Sequence, residues 1–163
     1  MENQNFKKAL AFTLKWEGGY SNDKDDPGQE TNFGISKKAN PDVDPKKLTL
    51  DQASEIYWDR YWMPSNSYSY LWPLSAVIFD SAVLHGVQTS KLILQRAMKE
   101  SKDSNPETIA LKLCDIRLEL FDKIIKAKPR MKKYLKGWRN RIADLKNLVT
   151  SPEIPVAKKK KMI

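Results

Sequence analysis

The segment LSAVIFDSAVLHG, residues 74 to 86, is apolar almost all the way round a helical wheel. A helix of that kind leaves no broad face for water and is buried on most of its sides. The rest of the chain is therefore expected to pack around it. Gly86 supplies the stop signal. The single charged residue inside the segment, Asp80, needs a partner if it is buried. It reads either as a structural carboxylate or as one that lies near a cleft and orients a substrate.

The flanking segments are helical too. In FKKALAFTLKW (6 to 16), Phe6, Ala9, Leu10, Thr13 and Leu14 fall on one face at helical spacing, and Gly18 and Gly19 end the helix just past Glu17. In LTLDQASEIYWDRYW (48 to 62), Thr49 and Gln52 form a capping-box pattern ahead of an amphipathic helix that ends before Pro64. SKLILQRAMKE (90 to 100) offers Leu92, Leu94 or Gln95, and Met98 for packing. The longest periodic stretch, residues 105 to 127, begins with Pro106 in its first turn and carries a stripe of Ile109, Leu113, Ile116, Leu120 and Ile124. Residues 131 to 149 form a last helix or helix pair, and the tail from 151, with two prolines and four consecutive lysines, has a disordered composition. Residues 20 to 36 lack helical periodicity and contain the turn signal Asp26-Pro27-Gly28, which predicts a short β-hairpin or small sheet with a polar tip. The expected fold is α+β, mostly helical.

A chain of 163 residues fits one domain, or one with a small appended lobe. No apolar run approaches the roughly 20 residues that span a bilayer. The N-terminus lacks the basic-then-apolar pattern of a secretory signal, and Cys114 is the one cysteine, so no internal disulfide is expected. Residues 1 to 80 hold 9 Lys/Arg and 12 Asp/Glu, a balance of −3; residues 81 to 163 hold 20 and 8, a balance of +12. That asymmetry suits an anionic polymer such as nucleic acid, an acidic membrane or a bacterial envelope, and equally a solvated basic surface.

One histidine and one cysteine are poor material for a zinc site or a thiol nucleophile, and the phosphate-binding loop motifs are missing. Cys114 reads as a small core residue and His85 as a structural histidine. Catalysis by such a chain falls to carboxylates. Glu17, at a helix C-terminus between Trp16 and two glycines, faces the negative end of the helix dipole, and Trp16 and Tyr20 can desolvate it. A carboxyl kept protonated in this way can act as a general acid. The plain alternative is a glutamate paired with a nearby lysine. A second carboxylate would come from Asp23, Asp25 or Asp26, with Thr31 and Asn32 able to hold a water or a sugar hydroxyl. Tyr57, Trp58, Tyr61 and Trp62 repeat at four-residue spacing; some belong to the core, and the others form an aromatic face suited to sugar rings or nucleobases.

The stretch WEGGYSNDKDDPGQETNFGIS (16 to 36) resembles the N-terminal motif of glycoside hydrolase family 108, the lysozyme-type N-acetylmuramidases of phages and bacteria. The matching residues are Glu17-Gly18-Gly19-Tyr20, Asn22-Asp23, Asp26-Pro27-Gly28, Thr31 and Gly34-Ile35-Ser36, followed in order by IYWDRYW, FDSAVLHG, LQRAM and GWRNRI. The likeness spans nearly residues 5 to 149. Gln29 replaces a usual glycine, and Leu84 stands where an asparagine is expected.

The resemblance implies a lysozyme-like fold, with residues 1–90 as catalytic region, 91–150 as a helical peptidoglycan-binding-like region packed on it, and 151–163 as a basic tail. It implies cleavage of the β-1,4 bond between N-acetylmuramic acid and N-acetylglucosamine, without cofactor or metal. Glu17 takes the acid role. Asp26, nine residues on as in other phage lysozymes, takes the second carboxylate, with Thr31 in support. Tyr20, Asp23, Asn32, Trp58, Tyr61 and Asp80 are the expected substrate contacts. The partner is then the peptidoglycan glycan strand, with the basic half on the anionic envelope, and not nucleic acid. A monomeric phage endolysin, held in the host cytoplasm until it reaches the periplasmic wall, fits the sequence. The alternatives are a lytic transglycosylase and a non-catalytic binder of cell wall or nucleic acid.

Overall fold

The computed structural model describes residues 3–19, 21–22 and 30–151. Tyr20, Asp23, Asp25, Asp26 and the expected turn at Pro27-Gly28, together with the tail beyond Ser151, lie outside the described residues.

Helix α1 (Gln4–Trp16) starts at Asn3, whose side chain accepts from the Phe6 backbone N–H at 2.9 Å. It ends at Glu17, whose own backbone N–H still donates to the Thr13 carbonyl at 3.1 Å. Its buried face is Phe6, Ala9, Leu10, Phe12 and Thr13, close to the predicted stripe. Strands β1 (Ser21–Asn22), β2 (Glu30–Asn32) and β3 (Ile35–Ser36) follow as an antiparallel sheet in the order β1-β2-β3, with Thr31 paired to both Ser21 and Ser36. Phe33 and Gly34 connect β2 to β3, and both have positive φ, 51° and 74°. That is the geometry of a tight two-residue hairpin turn.

Helix α2 (Leu50–Tyr57) has its capping box in place, with the Thr49 side chain accepting from Gln52 and the Gln52 side chain from Thr49. It widens into a π turn over Trp58–Trp62, where Arg60 reaches back to Asn40 and Asp42. Helix α3 (Leu74–His85) runs through the middle, and every residue from Leu74 to Ala82 is buried. Helices α4 (Val87–Ser101), α5 (Pro106–Ala127) and α6 (Leu135–Thr150) complete the fold, with a 3-10 segment, Pro129–Tyr134, leading into α6. The fold is α+β and mostly helical, as expected. No helix among the described residues is long and apolar enough to cross a membrane.

Two apolar clusters meet at α3. One joins Phe12 of α1 to Val77 and Ile78 of α3, Leu94 of α4, Leu113 and Phe121 of α5, and Ile142 and Leu145 of α6. The other joins Phe6 and Leu10 to Ile35, Tyr57, Trp62 and Phe79. Each such side chain contributes roughly 1.5–3 kcal/mol by leaving water. Residues from before and after position 90 share the first of these cores.

Two expectations shift. The buried face of α5 centres on Leu113, Arg117 and Phe121, while Leu120 and Ile124 are only half-buried. On α4, Leu92 and Met98 point outward and Leu94 and Ala97 pack inward, because α3 and α5 cover the opposite face.

Candidate functional site

Asp80 is wholly buried, and its partners come from three other helices. Thr13 Oγ1 donates to its Oδ1 at 2.9 Å. Arg117 Nη1 of α5 donates to Oδ2 at 2.8 Å. From α6, Arg141 donates through Nη2 to Oδ1 at 2.8 Å and through Nε to both oxygens at 3.2 Å. Burial alone would push the Asp80 carboxyl up; the two guanidinium groups more than reverse that and hold it at about 2. Removing one partner from such a buried pair costs about 3–5 kcal/mol, because the charge left behind has no solvent. Surface pairs such as Lys146–Asp115 are worth about 0–1 kcal/mol.

The expectation that Asp80 contacts substrate is corrected by this arrangement. Asp80 has no exposed surface to offer a substrate, and its link toward Glu17 runs through Arg141. The free arm of Arg141, Nη1, donates to Glu17 Oε1 at 2.8 Å. Burial works against the Arg141 charge, but Asp80 and Glu17 together hold the group firmly protonated. One rigid fork thus ties the last helix to the central one and to the end of the first. Among the described residues Oε2 of Glu17 takes no hydrogen bond, and the Glu17 side chain is 22% exposed. Among the described residues, the carboxyl is held by one oxygen only.

The other side of Glu17 is set by the β2–β3 turn. A Cβ placed on Gly34 would lie 2.5 Å from the Tyr57 hydroxyl oxygen and 2.8 and 2.9 Å from Glu17 Cβ and Cγ. With a φ of +74° as well, glycine is required there on both steric and backbone grounds. Gly18 and Gly19, which the sequence singled out, have nothing within 4 Å of such an atom among the described residues. The Tyr57 hydroxyl donates to the Phe33 carbonyl at 2.6 Å and so pins the same turn. Burial first, and then the Glu17 charge, pushes the Tyr57 and Tyr61 phenols up.

The remaining predicted residues separate. Tyr61 is half-buried against Tyr57, with ring centroids 5.6 Å apart, on the Glu17 side. Trp58 packs edge-on to Phe6 at 5.0 Å. Phe6 lies eleven residues before Glu17 on the chain, about 16 Å along the helix, so Trp58 belongs to the far end of α1. Thr31 sits in mid-strand on β2. The Asn32 amide donates to the Pro45 carbonyl at 2.9 Å, which fixes the sheet to the following loop. Trp16, expected to shield Glu17, sends its indole N–H to Asp144 at 2.8 Å.

What the sequence reading missed is the wall opposite. Glu17 and Arg141 open into a cleft of ≈ 320 Å³ lined also by Trp16, Leu84, Lys133, Tyr134 and Trp138. Leu84, which replaces the expected asparagine, therefore lies on the cleft. Rings run from it in sequence: Tyr134 to Trp138 at 5.9 Å, Trp138 to Phe121 at 5.0 Å, and Phe121 to His85 at 5.4 Å. His85 Nε2 accepts from Arg117 Nε at 3.1 Å, and burial together with the Arg117 charge lowers its pKa to about 3. The histidine is structural, as expected. Cys114 is buried in the core, where burial pushes its thiol up to about 12. Among the described residues no group of three His, Cys, Asp or Glu is placed to hold a metal ion.

Glu17 is thus a carboxyl at the end of the first helix, held by an arginine and lining an open cleft. No curated protein sequence matches the chain. Among solved structures, one described as the structure of Brucella abortus SagA shares the fold, at a TM-score of 0.73 and 24% identity over 88% of this chain and 92% of that one. Residues 10–86, which contain Glu17, Gly34 and Asp80, match the family model described as glycosyl hydrolase 108, and the match supports a glycoside hydrolase that acts on peptidoglycan.

Proposed function

We propose that the chain is an N-acetylmuramidase, hydrolysing the β-1,4 bond between N-acetylmuramic acid and N-acetylglucosamine. The observation that carries the reading is Glu17 itself: one oxygen held by Arg141, the other without a hydrogen bond among the described residues, the side chain 22% exposed and lining the cleft, within the segment that matches the glycosidase family. Glu17 protonates the leaving glycosidic oxygen. Asp26 stabilises the oxocarbenium-like state or activates the attacking water, with Thr31 in support. Arg141 keeps the acid's geometry constant through the cycle, and Asp80 keeps Arg141 in place.

In the cell, this activity suits a phage endolysin that waits in the host cytoplasm for access to the wall. The +12 balance of residues 81 to 163 would hold it on the anionic envelope. The region after residue 90 serves as the wall-binding part of the same unit.

Mass spectrometry of the products from purified peptidoglycan tests the reaction. Muramidase action leaves reducing N-acetylmuramic acid ends. Products with 1,6-anhydro ends would replace hydrolysis by transglycosylation, and intact strands would end the glycosidase reading.

A further inference from the structure

The cleft beside Glu17 has a wall that the acid–base chemistry does not use. Tyr134, which ends the 3-10 segment, and Trp138 and Arg141 of α6 follow one another at spacings of four and three, and all three line the cleft. The segment that delivers Arg141 to Glu17 therefore brings two aromatic rings to the same cleft. Phe121 backs Trp138 at 5.0 Å with the ring planes 23° apart, and Tyr134 continues the stack at 26°. The rings are held by one another and lose little freedom on binding.

Their polar edges are unspent. Among the described residues neither the Tyr134 hydroxyl nor the Trp138 indole N–H has a hydrogen-bond partner, and Tyr134 is 39% exposed. A pyranose presents apolar C–H surface beside hydroxyl and acetamido groups, and an aromatic wall with free O–H and N–H edges matches both. The cleft, ≈ 320 Å³, falls in the range of about 300–1,000 Å³ usual for small-ligand sites. Lys133, on its rim with Nζ 5.1 Å from the Tyr134 ring centre, adds positive charge where a wall glycan carries carboxylates.

We infer that Tyr134 and Trp138 form a glycan subsite that seats the sugar next to the bond Glu17 attacks. The inference rests on the muramidase reading and extends it: the C-terminal helices contribute a wall of the active-site cleft rather than a separate binding surface.

The test uses the full chain, with stem-peptide-free tetrasaccharide from purified peptidoglycan as probe. Binding is measured by calorimetry in a Glu17→Gln background, and turnover is measured in the otherwise native protein. Tyr134→Ala and Trp138→Leu each weaken tetrasaccharide binding about three- to tenfold, the loss in turnover falls on KM rather than kcat, and Tyr134→Phe restores most of the binding. Tyr134→Ala is the decisive variant, because its exposed ring leaves the thermal midpoint close to that of the parent. Unchanged tetrasaccharide affinity in Tyr134→Ala and Trp138→Leu, with native turnover intact, would overturn the subsite and leave the glycosidase standing. A native protein that cleaves no glycan would overturn both.

Discussion

At the scale of single residues, the site is decided by which atoms Arg141 and Gly34 occupy. Arg141 Nη1 reaches Glu17 at 2.8 Å while Nη2 and Nε stay on Asp80. Arg141→Gln should therefore cost both stability and function: about 3–5 kcal/mol by denaturant unfolding, since Asp80 loses a buried partner, and a roughly hundredfold drop in turnover as Glu17 loses its fixed geometry. Gly34→Ala forces a Cβ to within 2.9 Å of Glu17 Cγ at a φ of +74°. It should destabilise by about 1–3 kcal/mol and depress activity more than an equal loss of stability elsewhere, measured as residual activity at a temperature where the variant stays folded. The pH behaviour of folding follows from His85 and Asp80. His85 is lowered from 6.5 to about 3 by burial and by Arg117, and Asp80 is lowered from 3.8 to about 2 by its two arginines against burial. Both folded-state values are depressed, so the unfolded chain binds more protons as pH falls. The His85 contribution is complete above 6.5 and fades as pH drops toward 3, and the Asp80 contribution is complete above 3.8 and fades toward 2. Unfolding free energy should thus decline on acidification from neutral pH, while the single histidine shows no NMR titration between pH 8 and 5. A histidine midpoint near 6.5 would contradict the buried Arg117–His85 contact.

At the scale of elements, local chemistry was readable wherever a residue answers to its near neighbours. The stop after Trp16, the Thr49–Gln52 box and the all-buried Leu74–Ala82 stretch depend on spacing within one helix, and the chain declares them. Asp80 was readable as a residue in need of a partner. Its partners were not, because Arg117 and Arg141 lie 37 and 61 residues away and only packing brings them in. The signal available was Arg117, a cation four residues after Leu113 and four before Phe121 on an apolar face. The same limit applies to the aromatics. The dense Tyr57–Trp62 run drew attention, yet Tyr57 and Trp62 are core residues and Trp58 belongs with Phe6. The rings beside Glu17 come from Tyr134 and Trp138, sparse in sequence and gathered by the α5–α6 packing. Leu84, noted only as a departure from the expected asparagine, turns out to line their cleft.

At the scale of the whole molecule, the segment that matches the glycosidase family ends at residue 86, but what holds its Glu17 does not. Arg117 and Arg141 neutralise Asp80 from α5 and α6, and the core built on α3 draws on α4, α5 and α6. A chain cut after residue 90 should fail to fold, leaving Asp80 as a bare buried charge and an apolar helix in water. Circular dichroism of that fragment should lack a cooperative thermal transition, whereas an independently melting fragment would mean that the two halves are separable. The central claim concerns Glu17, and one substitution addresses it directly. Glu17→Gln keeps the shape and can still accept the Arg141 hydrogen bond, but it has no proton to give. Its turbidity assay on purified peptidoglycan should show clearance reduced by at least about a thousandfold, with circular dichroism and thermal midpoint close to those of the parent. Clearance at the parent rate by the folded variant would contradict the account.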